Sequence, residues 1–552
     1  MGQVSGCKPE CCEAVKAQRE DEGCEAKFPA RLHHFSAECE SGEGDEGDEG
    51  DEGDEGDEGD EGDVNEDAGR MSESFQAHDS EPLALSLSGA SELVKVLEPD
   101  VDILRGVALS STLTGAGRLW RYSPKTFSTQ HRMALYAKSK PIDQLDMFIS
   151  HTWWTPGWRK GLSLHLQSSW RIFLVSWAVF VTTSFVLCVT RVLPLPFVYE
   201  ANLLAFQGVC PMGFWILASG TIGPALVSVV SLYLPSRSPV CFVDVACIHQ
   251  EDKALMQRGV RGIGGFLSVS RELRVLWSPP YLSRLWCIFE LAAFRTANPT
   301  GKVTLAPLFV EMAVFFIWLF LCGGNALFWL ARSGEGGASI AAYVWVAVPA
   351  LPGVHLLRKN YRAKHQLLAD MRTFNLDSAE CYCESDRRFI HSAISDWYGS
   401  TRAFTCFVQG PLREELTAPI LAANLPWPYI LLLITPTFSL SMETLVALLM
   451  GGAPMKYAVA WTAGMLLANN CFYVPYFVLL IIYLCDRFAQ PRGLTRLSDY
   501  LQSVGIVFFF LLTTASLSTV SNFLVAAGPW TALAWLAGAL VIFVLLCARR
   551  PP

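Results

Sequence analysis

The stretch Tyr281–Phe294, YLSRLWCIFELAAF, sets a single acid, Glu290, among mostly apolar neighbours. Ser283 reads as an N-cap and Asn298-Pro299 as a stop, so the residues between are expected to form a helix. Leu285, Phe289 and Ala292 make one apolar stripe at helical spacing, and Cys287, Leu291 and Phe294 make a second. Between them run Ser283, Trp286, Glu290 and Ala293, with Trp286 one turn before Glu290 and placed to stack beside it. A carboxylate held there must be paired, protonated or open to a cavity, because burying it alone is costly. Arg284 and Arg295 are the candidate partners. A catalytic acid and a salt-bridged structural acid are both open readings.

The segments upstream give this helix its setting. LRVLW (Leu273–Trp277) reads as a strand stopped by Pro279 and Pro280, and Leu255–Ser268 as a helix with glycine interruptions. Cys241–Val243 suits a buried strand closed by Asp244, and Met147–Ile149 another, closed by Ser150, His151 and Thr152. Short, wholly apolar strands alternating with helices predict a parallel sheet covered on both faces. Ligands of such sheets bind beyond the carboxyl ends of the strands. Ser150, His151, Asp244 and the 278–283 turn are expected at those ends, with Trp153 just beyond. The module is expected over 143–168 and 239–298.

A hydrophobic excursion separates its two halves. The 552-residue chain is 51% hydrophobic, with a mean hydropathy of +0.30, which points to several bilayer spans. Eight apolar stretches are long enough to cross as helices, near 171–193, 210–234, 305–331, 339–357, 428–451, 457–485, 503–527 and 530–548. They group as an inserted hairpin (171–234), a second hairpin (305–357) and a four-span bundle (428–548), with a segment at 358–427 in between. The loops at 235–304, 358–427 and 486–502 and the C-terminal tail hold 23 Lys and Arg, whereas the opposite side holds Arg191, Arg332 and Lys456. This bias puts the N-terminus, the large loops and the C-terminus in the cytosol; which membrane is left open. Within the spans, Glu443, Asn469 and Asn470 are the conspicuous polar residues, read as helix–helix hydrogen bonding ahead of an ion path.

The net charge of −9 comes from one segment. Residues 43–63, a Gly-Asp-Glu repeat, carry 14 of the 52 acids, and the rest of the chain is mildly basic. Residues 1–100 are expected to be disordered. Gly2 follows the initiator Met, with Cys7, Cys11 and Cys12 close behind, so myristoylation plus palmitoylation is a candidate two-signal anchor, although Gly6 stands where the acylation pattern has Ser or Thr. The 17 cysteines are scattered, and neither Cys381-x-Cys383 nor Cys241, Cys247 and His249 has zinc-site spacing, so no metal is expected. From Asp386, DRRFIHSAISDWYGS places Phe389, Ile390, Ala393, Ile394 and Trp397 on one helix face, to pack on the module or lie at the membrane surface.

SRLWCIFEL resembles the S-x-W-C-x-x-E-L segment of Toll/interleukin-1 receptor (TIR) domains, especially plant-type ones. MFISHTW is similar to their first strand, Phe242-Val243-Asp244 to their second-strand motif, and LRVLWSPPY to the strand before the helix. VDVACIHQED also resembles the D-x-x-C-I-x-Q motif of heterokaryon-incompatibility (HET) domains, a related fold. The likeness covers about a sixth of the chain. It implies a flavodoxin-like α/β module, split by two spans and carried by a multi-pass α-helical membrane protein. In TIR domains that cleave NAD the matching glutamate is catalytic, which implies NAD hydrolysis at Glu290. Ser150, His151, Trp153, Asp244, Ser283 and Trp286 would line the nucleotide pocket. NAD would be substrate and no cofactor is implied; the partners would be the bilayer and further copies of the module, not nucleic acid. The departures are the inserted spans, His151 and Trp153-Trp154. A non-enzymatic scaffold is the second reading, and a transporter or channel using Glu443 the third.

Overall fold

The computed structural model describes residues 96–121, 127–203, 206–234, 237–332, 340–421, 425–493 and 495–548. The acidic repeat and the acylation candidates Gly2, Cys7, Cys11 and Cys12 lie outside the described residues.

Eight strands are present among the described residues: β1 (Arg105–Ala108), β2 (Lys140–Pro141), β3 (Met147–Ser150), β4 (Phe197–Leu203), β5 (Phe206–Met212), β6 (Val240–Phe242), β7 (Glu272–Trp277) and β8 (Lys302–Pro307). Six of them form one sheet in the order β2-β1-β6-β3-β7-β8. β3 precedes the first membrane hairpin and β6 and β7 follow it, yet β3 pairs in parallel with both. The register sets Phe148 beside Phe242 and Leu273, and Ser150 beside Val275. β8 extends the parallel set alongside β7. Every residue of β3 is buried, and the Phe148 and Phe242 rings stack at 4.4 Å. Burial on both faces is why these strands are wholly apolar rather than alternating.

The sheet is mixed rather than all parallel. β1 runs antiparallel to β6, and β2 antiparallel to β1 at the edge. The module therefore starts before 143 and ends beyond 298, at Pro307. β1 (RGVA) and β2 (KP) lack the apolar run that marks a buried strand, and Pro141 is tolerated because β2 is an edge. The helical segment expected at 255–268 is two helices, Lys253–Arg261 and Ile263–Ser268. Its glycines admit the chain at 96–99, since a Cβ on Gly264 would sit 2.3 Å from the Val96 carbonyl oxygen.

Six helices among the described residues are long and apolar enough to cross a membrane: Gly157–Val189, Trp215–Tyr233, Leu308–Arg332, Trp427–Met450, Met455–Arg487 and Arg496–Ala527. The chain is a multi-pass integral membrane protein. Two of the expected spans fall outside this set. The helix Ile340–Arg372 covers the one at 339–357, and Pro529–Ala548 the last, of which Pro529–Val544 is the apolar stretch searched. The expected second span is shortened, because Phe206–Met212 pairs with β4 as a hairpin and the helix starts only at Trp215. The third begins at Leu308, directly after β8. The first starts well before 171, since the helix that leaves β3 continues into it unbroken.

Polar groups within the bundle bond between helices. Glu443 accepts from the backbone N–H of Ile216 at 2.8 Å and of Leu217 at 3.2 Å. Asn470 donates to Ser441 at 2.9 Å, and Asn469 accepts from Ser521 at 3.0 Å. Arg358, fully buried, donates to the Phe488 and Asp499 carbonyls, Ser503 and Gln502, and pairs with Asp499 at 2.8 Å. The amphipathic helix Glu384–Tyr398 docks on the module. Ile390, Ala393 and Ile394 are buried, and Phe389 and Trp397 lie 5.8 and 5.6 Å from the Phe289 ring.

Candidate functional site

Among the parallel strands the chain steps from β3 to one side, β6, and then to the other, β7. The crevice between the carboxyl ends of β3 and β7 is therefore where successive connections diverge, the usual seat of a ligand in such sheets. Ser150 closes β3, the turn after β7 carries Ser278 and Tyr281, and the Glu290 helix, Leu285–Ala297, follows.

Ser150, fully buried, donates a hydrogen bond to Glu290 Oε2 and shares another with the Tyr281 hydroxyl at 2.6 Å. Tyr281 also reaches the Cys287 carbonyl at 3.4 Å. Glu290 Oε1 has no hydrogen-bond partner among the described residues, and the residue is half-buried. Part of the side chain thus reaches the surface while packing encloses the carboxyl, and the enclosure governs its charge. Burial raises the Glu290 carboxyl to about 8; the Ser150 bond pulls it down, and the Asp244 charge pushes it up.

Neither candidate arginine reaches Glu290. Arg284 pairs with Glu380 at 3.4 Å and lies 4.4 Å over Trp154 and 4.6 Å over Tyr382. Arg295 donates to the Gly301 carbonyl at 2.8 Å and pairs with Glu415.

The loop after β3 is tightly held. The His151 ring lies 5.2 Å from Trp120 and 4.7 Å from Trp153, edge to face. Burial and the neighbouring Lys160 charge hold His151 well below its usual range, so it is neutral. Trp153 donates to Asp244 Oδ2 at 2.8 Å, and Asp244 Oδ1 accepts from the Val245 N–H at 2.8 Å, opening a helical turn. Lys160 sits 4.5 Å over the Trp153 ring and donates to the Thr152 carbonyl at 3.0 Å. Cys241 and Cys247 are buried free thiols that burial raises.

Two expected residues turn elsewhere. Ser283 is not the N-cap: its hydroxyl donates to the Pro280 carbonyl at 2.9 Å, and Arg284 occupies the cap without a side-chain bond. The helix start is satisfied instead by the backbone of Glu380, whose N–H donates to Ser283 at 2.7 Å and whose carbonyl accepts from Leu285 at 3.1 Å. Trp286 donates to Asp386 at 3.3 Å and meets Phe289 edge-on at 5.4 Å, facing the docked helix. Conversely, Tyr281 and Lys160 belong to the constellation without having been singled out. Tyr281 sat within the 278–283 turn, and Lys160 carried no signal beyond its place one turn into the helix after Trp153-Trp154. A cleft at this edge is lined by Thr155, Arg159, Trp277 and Ser278 rather than by Glu290.

No family model, curated protein or solved structure matches the chain.

Proposed function

We propose that this chain is a membrane-anchored TIR-like signalling protein whose module hydrolyses NAD to nicotinamide and ADP-ribose at Glu290. The observation that carries the reading is the Ser150–Glu290 hydrogen bond, which joins the end of β3 to the following helix across the inserted hairpin. A raised carboxyl with no arginine partner suits this chemistry. Before NAD binds, the proton is retained at neutral pH. A cationic nicotinamide ring beside it favours the carboxylate, and the proton passes to water. As the bond from ribose C1′ to the ring nitrogen breaks, its electron pair stays with nicotinamide, which departs neutral without a general acid. The fixed negative charge stabilises the oxocarbenium-like ribose. Water then bonds to C1′ and releases a proton.

The charge bias of the loops supports a cytosolic module, and self-association of modules belongs to the same reading. Full-length protein in detergent, assayed for nicotinamide release with and without clustering, tests it. Release lost in Glu290→Ala and kept in Glu443→Ala is the expected result. The scaffold reading is favoured by the docked helix Glu384–Tyr398, which covers Phe289 and engages Trp286. Absence of release under every clustering condition selects it.

A further inference from the structure

Ser150 has one hydroxyl hydrogen, and the bond to Glu290 Oε2 takes it. Its contact with the Tyr281 oxygen at 2.6 Å is therefore filled by the phenol hydrogen, with Ser150 accepting. The other acceptor near that phenol, the Cys287 carbonyl, is farther away at 3.4 Å. Tyr281 keeps its hydrogen, because burial, with the neighbouring Cys287 and Glu290 adding to it, holds the phenol well above its usual range. The donors thus run one way, from Tyr281 to Ser150 to Glu290.

The chain joins three elements, and each end is held. Ser150 closes β3, and Glu290 lies on the helix Leu285–Ala297. Tyr281 stands in the turn between β7 and that helix. Its N–H donates to the Ser278 carbonyl at 2.9 Å, and its own carbonyl accepts from the Arg284 N–H at 3.2 Å. Ser278 is buried and bonded to Thr155. Tyr281 is 1% exposed, so bulk solvent does not compete for its hydrogen. A hydroxyl that accepts one bond donates the next more strongly, by about 10–30%. The ionised carboxyl gains most from that donor. The other titratable groups nearby are Asp244 beyond β6, Lys160 and neutral His151 after β3, Arg284 and Cys287 beside the helix start, and Asp386 on the docked helix. None of them bonds the Ser150 hydroxyl among the described residues.

We propose that Tyr281 is a positioning residue for Glu290: through Ser150 it fixes the serine hydrogen on Oε2 and so favours the ionised carboxyl. Its part in turnover rests on the NAD reading of Glu290, whereas the chain of hydrogen bonds does not.

The test uses full-length protein in detergent. Infrared spectra are recorded across pH, and the carboxyl band missing from Glu290→Gln is followed as Glu290 ionises. In Tyr281→Phe, which removes the phenol and keeps the ring, the midpoint should rise by roughly a few tenths of a pH unit. In Ser150→Ala it should rise by about one unit or more, and adding Tyr281→Phe to that variant should move it no further. 3-Fluorotyrosine placed at position 281 acidifies the donor and should lower the midpoint, which keeps the test open if Tyr281→Phe fails to fold. An unchanged or lowered midpoint in a folded Tyr281→Phe protein, or the same rise with Ser150 absent, overturns the proposal. So does a raised midpoint with fluorotyrosine. Nicotinamide release is measured on the same samples, and the pH profile of kcat should shift with the infrared midpoint. If no variant and no wild type releases nicotinamide, the NAD reading fails and the infrared shifts still decide the role of Tyr281.

Discussion

Replacing Glu290 by Gln isolates the enclosed carboxyl. An ordinary glutamate titrates near 4.5 and Glu290 near 8. The folded protein therefore holds the proton more tightly than the unfolded chain does. The resulting stabilisation is complete below pH 4.5 and fades as pH rises through 8. At about 1.4 kcal/mol per pKa unit the whole effect is roughly 5 kcal/mol. Discounting by about half, because part of the side chain touches solvent, leaves about 2–3 kcal/mol. Gln keeps the shape and still accepts from Ser150, but it has no proton to lose.

Wild type and Glu290→Gln should therefore melt together at pH 4.5 and separate as pH rises to 8, with the variant the more stable. At roughly 2–4 °C per kcal/mol for a domain-sized unit, the separation at pH 8 is about 5 °C. Scanning fluorimetry in detergent across this pH range measures it, and the difference between the two proteins cancels every other titrating group. Parallel melting curves from pH 5 to 8, or a wild type that gains on the variant as pH rises, would falsify the account of Glu290 as an enclosed acid.

Other substitutions probe the surrounding structure. Ser150→Ala removes the bond that favours the ionised carboxyl, so the fall in stability should start near pH 4.5 as in wild type but continue to a higher pH before levelling off; levelling off at a lower pH contradicts the assignment. Phe289→Ala empties the contact with Phe389 and Trp397, at about 3–5 kcal/mol, and limited proteolysis should then cut between residues 375 and 398 at lower temperature. Arg358→Ala leaves Asp499 paired with Arg362 alone, at 2.6 Å, and strips the Phe488 and Asp499 carbonyls of their donor, at about 1–3 kcal/mol for each acceptor left buried and unpaired. The melting temperature should fall accordingly, and adding Asp499→Asn should not restore it, because that change also breaks the Arg362 pair.

The parallel strands were legible because burial on both faces writes itself as an unbroken apolar run, as in Met147–Ile149 and Cys241–Val243. Their carboxyl ends then placed Ser150 and Asp244 without knowledge of the intervening hairpin. The antiparallel edge was not legible, since RGVA and KP carry neither an apolar run nor an alternation. The β4–β5 hairpin was lost for the opposite reason: its apolar residues merge with the following span, and an apolar run does not by itself distinguish strand from helix. The cap at Ser283 failed because the groups that satisfy the helix start come from Glu380, far along the chain. Local pattern carries no record of such a partner. The same applies to Arg284 and Arg295, whose acids are also distant in sequence.

The length of the first membrane helix explains how two spans fit inside a sheet. Gly157–Val189 has 33 residues. At 1.5 Å per residue that is about 50 Å, against a hydrocarbon core of about 30 Å, which leaves some 20 Å outside the bilayer. The leftover first turns are the ones that cover the sheet, where Lys160, Ser163 and Leu164 are buried. Farther along, Val175, Val179 and Val186 turn outward as lipid-facing residues do. One helix thus serves as the crossover cover of an α/β unit at its start and as a span at its end. β8 runs into Leu308 with equally little slack. The six residues from His151 to Pro156 are all that lies between β3 and the first membrane helix, and bonds from Trp153, Thr155 and Lys160 stiffen them. The short link thus ties the start of that helix to Ser150, and Ser150 bonds the carboxyl of Glu290.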